Sequence, residues 1–76
     1  MLVKKANVSI PDDCYLHKLV KLHGRQRWKD ENGRLYEWDR LHGHIEQYNS
    51  NGVHMAVLDK DGNFIDTAIK GRRIRL

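Results

Sequence analysis

From Tyr36 to Tyr48 the chain reads YEWDRLHGHIEQY, which gathers imidazoles, carboxylates and phenols into one short run. Side chains along a strand alternate between faces. With HGHIEQY as a strand, His42, His44, Glu46 and Tyr48 share one face, and Gly43, Ile45 and Gln47 the other. A core face would carry apolar residues in the first set. Asp39 stands three residues before His42 and joins the cluster if the Arg40-Leu41 step bends or bulges. Gly43 lets a second backbone or a ligand come close.

Three kinds of chemistry suit such a face. Imidazole and carboxylate are metal ligands, and His-x-His sets two rings side by side. A helical His-Glu-x-x-His arrangement is absent, however, and one cysteine cannot make a Cys/His zinc site. General acid–base chemistry is the second option, because His titrates near neutral pH and a carboxylate serves as its partner or as a base. RNA cleavage uses such a pair without metal. One group takes the 2′-hydroxyl proton, another protonates the leaving 5′-oxygen, and a cation stabilises the charged phosphorane. The third reading is a solvated polar face with no chemistry.

Other residues invite similar weighing. Trp28, Tyr36 and Trp38 would stack on bases in a nucleic-acid module, but in a small sheet they read first as core. His17 and His23 read as surface or end-capping groups. His54, by pattern alone, reads as structural or exposed. Asp59-Lys60-Asp61-Gly62-Asn63 has its glycine too early for a calcium loop and no closing glutamate, so it reads as a hairpin. Cys14 reads as a small apolar residue of a helix face.

The elements that would position these groups follow from the pattern. Pro11 suits a first helical turn, and Asp12 and Asp13 suit the positive end of a helix dipole. Leu16, Leu19 and Val20, with Tyr15 and Leu22, recur at helical spacing, and Gly24 ends the run. The spacing predicts a short helix over residues 12–22, after an extended lead over 1–10. Beyond Gly24, Asn32-Gly33, Asn51-Gly52 and Asp61-Gly62 mark tight hairpins. RQRWKD, RLYEWD, HIEQYN, HMAVLD, NFIDTA and RRIRL have strand composition. The expected fold is α+β, a short N-terminal helix with a highly twisted antiparallel sheet of about five to six strands. Residues 1–24 form the extension and helix, and 25–76 the sheet, within one compact domain.

Composition bounds the reading. Seventy-six residues bury only about 60% of their unfolded surface, so the core is small. No apolar run is long enough to span a membrane, and MLVKKANVSI lacks the apolar stretch of a signal peptide. Fourteen Lys and Arg against ten Asp and Glu favour anionic partners. KGRRIRL at the end holds Lys70, Arg72, Arg73 and Arg75 without an acid.

RWKDENGRLYEWDRLHGHIEQY, followed by NGVH and then RRI, resembles the cytotoxic ribonuclease domain of cloacin and the E-type colicins that cleave 16S ribosomal RNA. Related domains end some contact-dependent growth inhibition toxins. The resemblance covers residues 25–76, and YEWD-x-x-HG-x-x-E-x-Y carries it. It implies a twisted antiparallel sheet with a short N-terminal helix, and a single cut in the ribosomal decoding centre that stops translation. By position it implies a catalytic set of Asp39, His42, Glu46 and Arg72. Glu46 would take the 2′-hydroxyl proton and His42 would serve the leaving oxygen. Asp39 would support His42, and Arg72 would stabilise the phosphorane. Arg25, Arg27, His44, Tyr48, His54, Lys70 and Arg73 would contact substrate, with neither metal nor other cofactor.

The chain departs from the family pattern where His44 replaces a frequent Glu and Gln26 replaces a cation. The turn between Trp28 and Tyr36 is one residue shorter, and the proline-rich approach to the last strand is missing. The implied partners are 16S ribosomal RNA in the 30S subunit or 70S ribosome and a cognate acidic immunity protein. No membrane contact is expected of the domain itself. The implied setting is the toxin module of a larger secreted or surface-delivered protein that acts in the target-cell cytoplasm. A non-catalytic RNA- or ribosome-binding β module and a metal-dependent nuclease are the alternatives.

Overall fold

The computed structural model describes residues 7–76. Six strands form one antiparallel sheet in chain order: β1 (Val20–Lys21), β2 (Trp28–Lys29), β3 (Leu35–Asp39), β4 (His44–Tyr48), β5 (His54–Leu58) and β6 (Phe64–Thr67). Every neighbouring pair is antiparallel, so each connection is a local hairpin. No helix among the described residues is long and apolar enough to cross a membrane.

The helix expected over residues 12–22 does not form. One 3-10 turn spans Tyr15–Lys18, flanked by Cys14 and Leu19 in extended conformation. Val20 and Lys21 then pair with Lys29 and Trp28 as edge strand β1. A helix this short is marginal in water unless packing supports it. Here packing supports another shape. The Tyr15 N–H donates to the Lys60 carbonyl at 2.7 Å, and the Tyr15 ring lies against Gly62, where a Cβ would come within 2.8 Å. Leu16 is fully buried, while Val20 points to solvent. Of the expected lead, residues 1–6 lie outside the described residues. Beyond them Val8 is pinned to the β3–β4 hairpin, donating its N–H to the Arg40 carbonyl and accepting from Trp38 Nε1 at 2.7 Å.

Three hairpins share one construction. Asp30, Asn49 and Asp59 each accept the N–H of the glycine three residues later, at Gly33, Gly52 and Gly62, and within each of these turns the glycine alone has positive φ, at 84°, 83° and 87°. This is a type I turn followed by a glycine bulge rather than a two-residue mirror-image turn. The Oδ1 atom of each capping residue accepts two further backbone N–H groups, those of Asn32 and Arg34, Asn51 and Val53, and Asp61 and Asn63. Short polar side chains that bond to nearby backbone specify such turns.

The sheet has two chemically different faces. Trp28, Tyr36, Ile45, Ala56 and Leu58 form the apolar one, closed by Cys14 and Leu16, with Trp38 packed at its side. The aromatic residues are therefore core, and Cys14 is buried with them beside the 3-10 turn. The opposite face carries Asp39, His44, Glu46 and Tyr48. Along it the C-terminal segment makes single backbone bonds, from His54 N–H to the Arg72 carbonyl at 3.0 Å and from Ile74 N–H to the Gly52 carbonyl at 2.8 Å. RRIRL is thus not a strand, and its one ladder contact among the described residues is a bridge between Val53 and Arg73. β6 pairs with Ala56, Val57 and Leu58 of β5, and the C-terminal segment meets the start of the same edge at His54.

Candidate active site

The β3–β4 hairpin departs from the other three. Asp39 begins it as their capping residues do, with Oδ1 accepting the N–H groups of Leu41 at 2.9 Å and His42 at 3.2 Å. Its carbonyl, however, accepts from Gly43 four residues on, so the turn holds one residue more. Gly43 closes the turn at φ 70°, and Val8 packs where its side chain would lie. The extra residue places His42 with Nδ1 2.8 Å from Asp39 Oδ2. His42 therefore belongs to the turn, not to the strand. Its ring still lies 6.2 Å from that of His44 and nearly parallel to it.

The Asp39–His42 pair has a clear electrostatic signature. Partial burial alone would raise the Asp39 carboxyl. The hydrogen bonds from the His42 ring and from the His42 and Leu41 N–H groups outweigh it and hold the carboxyl below its ordinary range. With Nδ1 engaged, His42 Nε2 is the free ring nitrogen, on a side chain 62% exposed.

Glu46 sits one alternation further along β4 and is almost fully buried. Its Oε1 is 2.9 Å from Arg72 Nη1. Its Oε2 is buried and faces His54 Nε2 at 3.5 Å. Tyr48 is next on the same face, with its ring 5.2 Å from that of His54. Burial pushes the Tyr48 phenol up, and the opposing pull of Arg72 does not cancel this. Partial burial works against the Arg72 charge, but Tyr48 and Glu46 outweigh it and hold the guanidinium above its ordinary value.

Asp39, His42, His44, Glu46 and Arg72 line one cleft of about 240 Å³, completed by Val57, Ile65, Asp66 and Ile69. Tyr48 and His54 are buried and do not line it. The other expected contacts are elsewhere. Arg25 and Arg27 line a separate cleft with Leu22, Lys29 and Leu76. Arg27 is held at 3.0 Å by Glu37 and donates to the Arg75 carbonyl. Arg73 donates to the Asn51 carbonyl at 3.3 Å. Lys70 is exposed in the turn before Arg72. Sequence reasoning missed Asp66 and Ile69. Asp66 becomes visible only through the pairing of Val57 with both Glu46 and Asp66. Among the described residues no group of three His, Cys, Asp or Glu side chains is placed to hold a metal ion.

A family model described as Cytotoxic matches residues 16–75, most of the chain. The chain belongs to the Cytotoxic family. Colicin E3 of Escherichia coli is 48% identical to it over 42 residues, which are 51% of this chain and 8% of colicin E3. The chain thus spans a small part of that relative's length. No solved structure matches it. The resemblance read from YEWD-x-x-HG-x-x-E-x-Y agrees with this membership, and in the Cytotoxic chain described here that motif frames the cleft.

Proposed function

We propose that this Cytotoxic domain is a toxin endoribonuclease that cuts 16S ribosomal RNA in the decoding centre by metal-independent acid–base catalysis, with residues 25–76 carrying the chemistry. One observation carries the reading: the Asp39–His42 and Glu46–Arg72 pairs open onto a single cleft in a chain of this family.

The chemistry follows from the atoms. Glu46 Oε1, the oxygen on the Arg72 side, takes the 2′-hydroxyl proton, and the 2′-oxygen attacks phosphorus. Arg72, 42% exposed at its side chain, turns to the non-bridging oxygens and stabilises the phosphorane as charge builds. His42, protonated on both nitrogens, gives its Nε2 proton to the leaving 5′-oxygen while Asp39 balances its charge. The products are a 2′,3′-cyclic phosphate and a 5′-hydroxyl. His44 flanks His42 and contacts substrate from the cleft wall. Arg25, Lys70 and Arg73 supply cationic surface for the RNA backbone.

The same reading places the domain in a larger secreted toxin that acts in the target-cell cytoplasm, with a cognate acidic immunity protein. Opposite net charges speed such an association. The test is cleavage of ribosomes by His42→Ala and Glu46→Gln variants. Both are expected to lose cutting by about 10²-fold or more while keeping the wild-type circular dichroism spectrum and melting temperature. Full activity in both would sink the assignment. Salt-sensitive binding to ribosomes whose RNA stays intact would instead indicate a non-catalytic binding module.

A further inference from the structure

His54 is 3% exposed, too buried to meet an RNA, yet it faces the side chain proposed as the base. Three observations define its state. The Ile69 N–H donates to His54 Nδ1 at 2.9 Å. A ring nitrogen that accepts a hydrogen bond carries no proton, so the imidazole proton lies on Nε2. His54 Nε2 lies 3.5 Å from Glu46 Oε2, longer than a formed hydrogen bond, and both buried atoms are without a hydrogen-bond partner among the described residues, so each is the nearest candidate partner of the other. The loop that donates to the ring is held in turn, because the His54 backbone N–H bonds to the Arg72 carbonyl and the Arg72 N–H to the Ile69 carbonyl.

We propose that His54 is the positioning residue of Glu46: its Nε2–H closes the 3.5 Å gap to Oε2 when substrate binds, holds that oxygen, and leaves Oε1 as the one that meets the 2′-hydroxyl. The inference rests on the ribonuclease reading and sharpens it. Glu46 has one oxygen toward Arg72 and one sealed against His54. When Arg72 turns to the phosphate, Oε1 is released, and without a hold on Oε2 the carboxylate would be free to rotate and follow the guanidinium. His54 prevents that rotation. The loop 69–72 that anchors His54 also carries Arg72, so base and cation share one frame.

Two substitutions separate this role from a structural one. Gln offers an amide N–H near the Nε2 position and loses the acceptor for Ile69. Asn keeps an acceptor near Nδ1 and loses the donor to Glu46. His54→Gln is expected to retain cleavage of ribosomes within about tenfold of wild type. His54→Asn is expected to fall about 10²-fold in kcat, the scale of a misplaced catalytic group, with KM unchanged and melting temperature kept. The reverse order, with Asn active and Gln inactive, would show that His54 serves only the loop and would overturn the proposal. Nitrogen-15 NMR of the wild-type histidines gives an activity-independent reading. His54 is expected with Nε2 protonated and Nδ1 bare, and the opposite tautomer would overturn the proposal. A wild-type domain that leaves ribosomal RNA intact would overturn the ribonuclease reading itself, whatever the tautomer.

Discussion

Asp39 holds His42 through both carboxylate oxygens, Oδ1 on the backbone N–H and Oδ2 on ring Nδ1 at 2.8 Å. One side chain thus caps the hairpin and aims the imidazole. Asp30 is the useful contrast. It caps its turn in the same way through Oδ1 and spends Oδ2 on the buried Tyr36 hydroxyl. The capping device is shared, and the extra residue in the β3–β4 turn gives it a histidine to hold.

The first prediction concerns that dual role. Asp39→Asn keeps an oxygen for the turn and removes the charge that balances a protonated His42. Ribosome cleavage is expected to fall by about 10²-fold with little loss of stability at neutral pH. Equal activity in the variant would show that the carboxylate does not serve His42.

The same contact sets an acid limit. The folded-state Asp39 carboxyl lies below its ordinary range, because bonds from His42 and from the turn outweigh burial. Its stabilisation is therefore present above about pH 4, the unfolded value, and is lost as pH falls through the depressed folded value. Urea midpoints measured from pH 6 down to pH 2 should drop more steeply for wild type than for Asp39→Asn. Parallel curves would contradict this.

A limit at high pH comes from Tyr36. Burial first, and its hydrogen bond to Asp30 second, push this phenol up to about 12. The neutral form is favoured in the folded chain, so its contribution holds below about pH 10 and is lost as pH rises through about 12. Tyr36→Phe leaves Asp30 Oδ2 and Gln47 Nε2 without their partner. It should cost roughly 1–3 kcal/mol in urea unfolding at pH 7 and flatten the alkaline loss, while ribosome cleavage stays unchanged.

Much of the fold was legible where local chemistry decides it. Asn-Gly and Asp-Gly located three turns, although the capping Asp30, Asn49 and Asp59 stand two residues before each pair. The region 12–22 misled because Leu16, Leu19 and Val20 fit a helical stripe as well as a buried turn leading into an edge strand. What decided was the Tyr15 bond to Lys60, a contact across 45 residues of chain that no window reveals. Alternation brought His44, Glu46 and Tyr48 to one face. It could not show that Glu46 and Tyr48 are buried there, because their cover is a C-terminal segment remote in sequence. His54 was legible as a histidine after a turn, but its orientation depends on Ile69.

Two neighbouring cations should behave differently, although the sequence treats them alike. Arg27 is mostly buried and engaged by Glu37 and the Arg75 carbonyl, whereas Arg25 is exposed. Arg27→Ala is expected to lower stability by about 1–3 kcal/mol, seen in chemical denaturation. Arg25→Ala should leave stability within about 0.5 kcal/mol and weaken ribosome binding with a shallower salt dependence. Identical effects of the two would contradict the placement.

The central claim is tested most directly by incubating 70S ribosomes with the folded domain in excess chelator, then extracting the RNA and sizing it on a gel. The account predicts one discrete small 3′ fragment of 16S RNA, with a cyclic phosphate at the new end of the larger piece, and no fragment with His42→Ala. Intact RNA, random degradation, or cutting that appears only when metal is restored would contradict it.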